Sequence, residues 1–239
     1  GYLYAPDGSK IAYYKDIKME PTVQDMHPDL PKAKARIIND QFYRHWNDWV
    51  EGYTHIFIAD YTPAQPITSG QDIMKDEKWE SPVRPWGGTE QLAWTRDGQK
   101  LIYTCRKKYG IDYAFSTNTD LYAYSTADGT TVNLTEGMMG YDKNPVLSPD
   151  GKKMAWESME RDGYEADKNR LFVMDLETGK KKDFTKNFDQ SVGNLAWDKD
   201  NNTVWFISDY HATDEIYSLN TTSGEIKKHT DGIHNYTSV

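Results

Sequence analysis

Two carboxylates standing two residues apart, Glu165 and Asp167 around Ala166, are the first candidates for chemistry in this chain. Acids at that spacing suit a single cation such as a peptide α-ammonium, because both offer acceptor oxygens and negative charge. A polar loop left to water would carry the same residues. Glu136, Asp142, Glu160 and Asp162 are the other acids in comparable polar stretches. Arg106, followed by Lys107 and Lys108, can receive a carboxylate or steady an acidic loop. Tyr113, with Tyr109 and Phe115, suits a pocket wall or packing between layers. His45 and His211 lack the His-x-His and His-Glu-x-x-His spacings, so no metal is expected. No Gly-x-Ser-x-Gly, phosphate-binding loop or dinucleotide fingerprint occurs. The chain is therefore expected to carry no catalytic residue and no cofactor. A glycosidase carboxylate pair is not excluded by spacing, but nothing singles one out.

The elements that position these residues are repeated. Leu92-Ala-Trp-Thr-Arg-Asp-Gly98, Pro145-Val-Leu-Ser-Pro-Asp-Gly151 and Leu195-Ala-Trp-Asp-Lys-Asp-Asn201 align on one tight turn, and Tyr4-Ala-Pro-Asp-Gly8 is a fourth copy. Proline presets φ in such turns, and Asp and Gly tolerate their unusual backbone angles. A second landmark aligns Ile56, Leu121, Leu171 and Ile216, each opening a short apolar run, followed by Thr68, Thr135, Thr185 and Thr230. Four short strands per repeat of about 45–50 residues are the signature of a β-propeller blade. The expected fold is all-β: a partial propeller of about four blades at residues 1–68, 89–135, 144–185 and 194–230. An insertion at 15–53, broken by Pro21, Pro28 and Pro31, reads as loop with extended pieces. Residues 231–239 would start a next blade.

Strand order assigns the loops. In a four-stranded antiparallel blade, the loop after strand two and the linker to the next blade emerge on one face. The hairpins after strands one and three emerge on the other. The first set is long and rich: residues 44–51, 79–89, 106–119, 136–143, 160–169 and 210–214. Trp46, Trp86 and His211 lie in it. Long loops on one face of a rigid scaffold are where binding sits.

Composition narrows the partners. A net charge of −9 without a basic run argues against nucleic acid. One cysteine permits no internal disulfide, and 17 Tyr and 8 Trp suit pleated surfaces. No stretch is apolar and long enough for a helix to cross a membrane.

Several segments resemble a known family. Arg44-His-Trp-Asn-Asp-Trp49 followed by His55-Ile-Phe-Ile-Ala59, the run Ala114-Phe-Ser-Thr-Asn118, and Ser158-Met-Glu-Arg-Asp-Gly-Tyr-Glu-Ala-Asp-Lys168 look like the propeller of bacterial prolyl-oligopeptidase-family serine peptidases. The dipeptidyl-peptidase V-like and acylaminoacyl-peptidase-like branch is the nearest, and the resemblance covers nearly the whole chain. It implies a parent with a C-terminal α/β-hydrolase domain bearing a Ser-Asp-His triad, of which this chain would be an excerpt. It implies a propeller that restricts access to short peptides, in a periplasmic or secreted enzyme, with Glu165 and Asp167 as substrate-side contacts. A free-standing propeller binding a protein partner in the cell envelope is the alternative. An open arc of blades would also favour self-association through its end faces.

Overall fold

The computed structural model describes residues 1–40, 44, 45 and 47–239. Among the described residues eighteen strands occur in chain order. The first repeat holds β1 (Tyr2–Tyr4), β2 (Lys10–Lys18), the two-residue pair β3 (Arg44–His45) and β4 (Asp48–Trp49), β5 (Gly52–Asp60) and β6 (Gln71–Asp72). The second holds β7 (Leu92–Trp94), β8 (Lys100–Cys105), β9 (Asp120–Ser125) and β10 (Thr131–Asn133). The third holds β11 (Asp142–Leu147), β12 (Lys153–Ser158), β13 (Arg170–Asp175) and β14 (Lys181–Asp183). The fourth holds β15 (Gly193–Trp197), β16 (Thr203–Tyr210), β17 (Thr213–Asn220) and β18 (Ile226–Lys228). Each repeat forms one four-stranded antiparallel sheet in sequence order, β1-β2-β5-β6 in the first, with β3-β4 as a separate ribbon. These are the four blades expected from the repeats.

Period-two alternation makes the blades interdependent, since successive side chains leave a strand on opposite faces. Leu101 and Tyr103 join a core with Ile56, Ile58, Leu92 and Trp94 of the first two blades. Ile102, between them, joins Leu121, Met154, Trp156 and Met174 of the second and third. Ala155, between Met154 and Trp156, joins Leu171, Val204, Phe206 and Leu219 of the third and fourth. Every core is shared by two blades, so no blade buries its apolar faces alone.

The aligned landmarks have identifiable jobs. The Asp of each turn accepts the backbone N–H two residues on: Asp7 from Ser9, Asp97 from Gln99, Asp150 from Lys152 and Asp200 from Asn202. Gly8, Gly98, Gly151 and Asn201 follow them at φ of +60° to +73°, where glycine and asparagine are tolerated best. The indole N–H of Trp94 donates to Leu3 O (3.2 Å), and that of Trp197 donates to Val146 O (3.1 Å), tying each blade to the one before it. The threonine landmark caps strand three. Leu121, Leu171 and Ile216 donate their N–H to the hydroxyls of Thr135, Thr185 and Thr230 at 3.0, 2.7 and 2.9 Å. Thr185 is fully buried, so Thr185→Val should strand the Leu171 N–H and cost about 2 kcal/mol in urea unfolding.

The first blade departs from expectation at three places. Thr68 is not the fourth member of the threonine set. Ile73 N–H bonds Ile56 O as Leu134 bonds Leu121 O and Phe184 bonds Leu171 O, which puts Met74 at the threonine position. The longer β5–β6 hairpin, with Ala64 at φ +64°, displaces the landmark. The insertion is also shorter than 15–53, because β2 and β5 stay paired out to Lys18 and Gly52. Finally, it contains one helical turn, α1 (Val23–Met26), opened by a capping box of Thr22 and Asp25.

Candidate functional site

Contacts between loops confirm the two faces. Turns on one face tie to each other, as in Arg96 Nη1 to Pro149 O (2.7 Å) and Asp150 N–H to Asn201 Oδ1 (2.8 Å). Loops and linkers tie together on the other. There, every linker returns by one bond to the residue two before strand three's landmark. Ser81, Asp142, Val192 and Tyr236 donate N–H to the carbonyls of Thr54, Thr119, Asn169 and Asp214. The inner strand then follows at once after Asp142 and Val192. After Ser81 the chain makes an eight-residue longer detour before Trp94, compared with the path from Asp142 to Leu147. Arg84 and Trp86 lie in that detour, and Glu80 lies at its root.

Glu80 is 4% exposed and held from several sides. Its backbone oxygen accepts from Cys105 Sγ (3.3 Å), and the adjacent Ser81 hydroxyl donates to Thr104 O (2.7 Å). Its carboxylate accepts from Tyr113 Oη (2.9 Å) and Arg84 Nε (2.6 Å). Arg84 Nη2 continues to Gly52 O (2.6 Å), joining the detour to the first blade. Tyr113 sits on the one-turn helix α2 (Ile111–Phe115), which starts from Gly110 at φ +58°. Burial, with Glu80 beside it, pushes the Tyr113 phenol well above its ordinary range. A small cavity lies here between His45, Val50, Tyr53, Glu80, Arg84, Gly110 and Tyr113. Burial lowers the His45 imidazole, against the pull of Glu80.

Arg106 leaves β8 directly beside this cluster. Its guanidinium lies 4.6 Å from the Tyr113 ring centroid and 6.0 Å from that of Tyr141. Arg106 is 9% exposed, and its Nε has no hydrogen-bond partner among the described residues. Sequence reasoning had brought Arg106 and Tyr113 onto one loop, and the structure stacks them.

The acidic loop of the third blade is mostly committed to architecture. Asp162 accepts from the Ser116 hydroxyl (2.7 Å) and from the N–H groups of Thr117 (2.8 Å) and Asn118 (3.1 Å), fastening the second blade's loop. Burial opposes its charge, but these donors outweigh it and hold Asp162 below the usual carboxylate range. Asp167 forms a two-pronged pair with Arg161, which also lies 4.0 Å over the Tyr164 ring and holds Asp167 low. Lys168 donates to the carbonyls of Thr185 (3.0 Å), Lys186 (3.3 Å) and Phe188, pinning the next linker. Glu165 alone of the pair points outward, exposed, and its charge bears on Tyr141.

The remaining candidates are dispersed. Trp86 is 79% exposed on the detour, and Tyr109 and Phe115 are also exposed. His211 turns the β16–β17 hairpin at φ +48°, its ring 4.3 Å from Tyr210, on the fourth blade. Trp46 lies outside the described residues. Among the described residues no three His, Cys, Asp or Glu side chains converge as a metal site would require. Glu80 and Tyr141 were missed by sequence reasoning. Nothing in the sequence singles out Glu80, because its partners Tyr113 and Arg84 lie on two different loops.

No family model matches the chain. Over 236 residues, 99% of its length, it is 45% identical to dipeptidyl-peptidase 5 of Porphyromonas gingivalis, covering 34% of that relative. The chain thus spans about a third of the length of the curated relatives it matches. Among solved structures, acylaminoacyl peptidase of Pyrococcus horikoshii aligns with a TM-score of 0.63 at 14% identity, over 97% of this chain and 31% of that one. A putative TolB from Agrobacterium tumefaciens aligns with a TM-score of 0.55 at 15% identity, over 95% of this chain and 63% of that one. At such identities the structural likeness shows the propeller fold alone. The sequence likeness goes further than the fold: over nearly its whole length the chain is a homologue of about a third of dipeptidyl-peptidase 5.

Proposed function

We propose that this chain is the substrate-gating propeller of a periplasmic or secreted serine exopeptidase of the dipeptidyl-peptidase type. Its rich loop face meets an α/β-hydrolase domain of the parent protein and admits short peptides. The 45% identity to dipeptidyl-peptidase 5 over 99% of the chain carries this reading. It outweighs the envelope-scaffold alternative, for which a 15% identical fold likeness speaks. Bond cleavage belongs to the hydrolase domain, since a Gly-x-Ser-x-Gly elbow is absent from these residues.

On that face the free peptide N-terminus is met by Glu165, the exposed acid of the loop. Asp167 stands behind it and holds Arg161, so it shapes the loop on which Glu165 is presented. Arg106 and Tyr113 line the neighbouring seam, with Trp86 and His211 on the rim. In the parent enzyme, Glu165→Gln should raise KM for dipeptidyl substrates with free N-termini about tenfold, with kcat much less changed, as loss of one charge-assisted contact predicts. Asp167→Asn should raise KM as well, through the loop. Steady-state kinetics with a dipeptidyl chromogenic substrate decide the matter, with the 239-residue chain alone as the blank. Unaltered KM in both variants would remove these residues from the site.

A further inference from the structure

Arg106 poses a problem of charge. It is a buried guanidinium on the loop face, without a hydrogen-bond acceptor for Nε among the described residues. Buried cations are ordinarily paired, because taking a charge out of water is costly unless an opposite charge replaces the water. Three of the acids around it are already engaged. Glu80 holds Tyr113 and Arg84, and Glu77 lies 3.6 Å from Lys107 and accepts from Trp79 Nε1. Asp162 fastens the loop at Ser116 to Asn118. Glu165 is exposed and bears on Tyr141 rather than pairing with the guanidinium.

The surroundings suit one kind of visitor. The Tyr113 and Tyr141 rings contact the guanidinium at 4.6 and 6.0 Å and give it cation–π support, but supply no negative charge. Arginine stacked on a ring still has its N–H groups in the plane of the fork, where a planar carboxylate can take two of them. A neutral carbonyl would occupy the fork and leave the charge uncompensated. We propose that Arg106, framed by Tyr113 and Tyr141, is a carboxylate-binding residue of the loop face and selects peptides that bring an acidic group to it. The carboxylate is that of an acidic side chain or of the peptide C-terminus. This rests on the peptide-binding reading above, but it concerns a different group of the peptide from the ammonium assigned to Glu165.

Two pairs of neutralised peptides separate the sources. Binding to the 239-residue chain is measured by titration calorimetry or NMR shifts for Glu-Ala amide against Gln-Ala amide, and for Ala-Ala against Ala-Ala amide. In one pair the carboxylate member should bind at least about tenfold tighter. Arg106→Gln should abolish that difference. Equal affinities within both pairs, or a preference that survives in Arg106→Gln, would overturn the assignment and leave peptide binding itself standing. No binding of any of the four peptides would overturn both. An independent arm needs no peptide: Arg106→Met, which removes an uncompensated buried charge, should raise Tm by about 3 °C in buffer free of carboxylates. A lowered Tm would show that the cation is a structural stack between the two rings, and the proposal would fall.

Discussion

At pH 8 the Asp142→Asn variant should be more stable than the unaltered chain by up to about 4 kcal/mol, and near pH 4 by almost nothing. Asp142 opens the inner strand of the third blade and is fully buried at the seam with the second. Its Oδ1 accepts from the Trp156 indole (2.8 Å), while Oδ2 has no partner among the described residues. Burial pushes its carboxyl up to about 7. Ser158, Trp156 and Arg170 favour the ionised form and only partly offset burial, and Asp120 across the seam adds to the shift. An acid whose pKa is raised on folding binds its proton more tightly in the native state. Stability is therefore fully present below the unfolded value near 3.9 and is lost as pH rises towards about 7. Three pKa units correspond to about 4 kcal/mol, the limit above pH 7. Asparagine keeps the acceptor for Trp156 and has nothing to ionise. Urea unfolding of both proteins at pH 4, 6 and 8 should show the gap widening with pH. A gap independent of pH would mean that Asp142 does not titrate in this range.

The same seam shows how far the sequence could be read. The blade repeat was legible because its residues serve geometry that recurs: turn Asp and Gly, the Trp that reaches back to the preceding blade, and the Thr that caps strand three. Each acts through local backbone, so spacing alone reveals it. Thr68 misled because composition matched while the hairpin length differed, and only the bond from Ile73 to Ile56 exposes Met74 as the equivalent. The candidate site was legible to the level of a face and of two stacked residues, Arg106 and Tyr113. Beyond that, the loop acids look alike in sequence. What divides Asp162 and Asp167 from Glu165 is whether a donor from another blade or from the same loop reaches them. Glu80 was hidden for a similar reason: its partners Tyr113 and Arg84 lie on two different loops. Charge patterning says where carboxylates are, whereas three-dimensional pairing decides which are spent on the fold.

Trp156 carries the largest single contribution expected from one side chain. It is fully buried between Ile102, Leu121 and Met174, beside Phe172 at a ring distance of 5.3 Å, and it supplies the only donor to Asp142 Oδ1 among the described residues. Trp156→Ala removes the ring and should cost about 3–5 kcal/mol, because a cavity opens where two blades meet and neither can collapse into it alone. Measured at pH 5, where Asp142 is mostly protonated, this loss reports packing. Measured at pH 8, it should be larger, since the ionised carboxylate loses its donor as well. Trp156→Phe separates the two effects: it retains most of the volume and should cost under about 2 kcal/mol at pH 5, with a steeper decline towards pH 8 than the unaltered chain. In the Asp142→Asn background the extra pH dependence should vanish, because the two residues share one interaction. If Trp156→Phe instead leaves the pH profile unchanged, the indole–carboxyl bond contributes nothing to the seam. The coupling matters for the loop face as well. Asp142, one residue after Tyr141, makes two bonds to Thr119: its N–H donates to the Thr119 carbonyl at 3.3 Å, and its carbonyl accepts from the Thr119 hydroxyl at 2.7 Å. A proton lost at Asp142 acts at the strand end on which the Arg106–Tyr141 contact rests, so stability and the carboxylate binding proposed for Arg106 should decline together between pH 5 and 8.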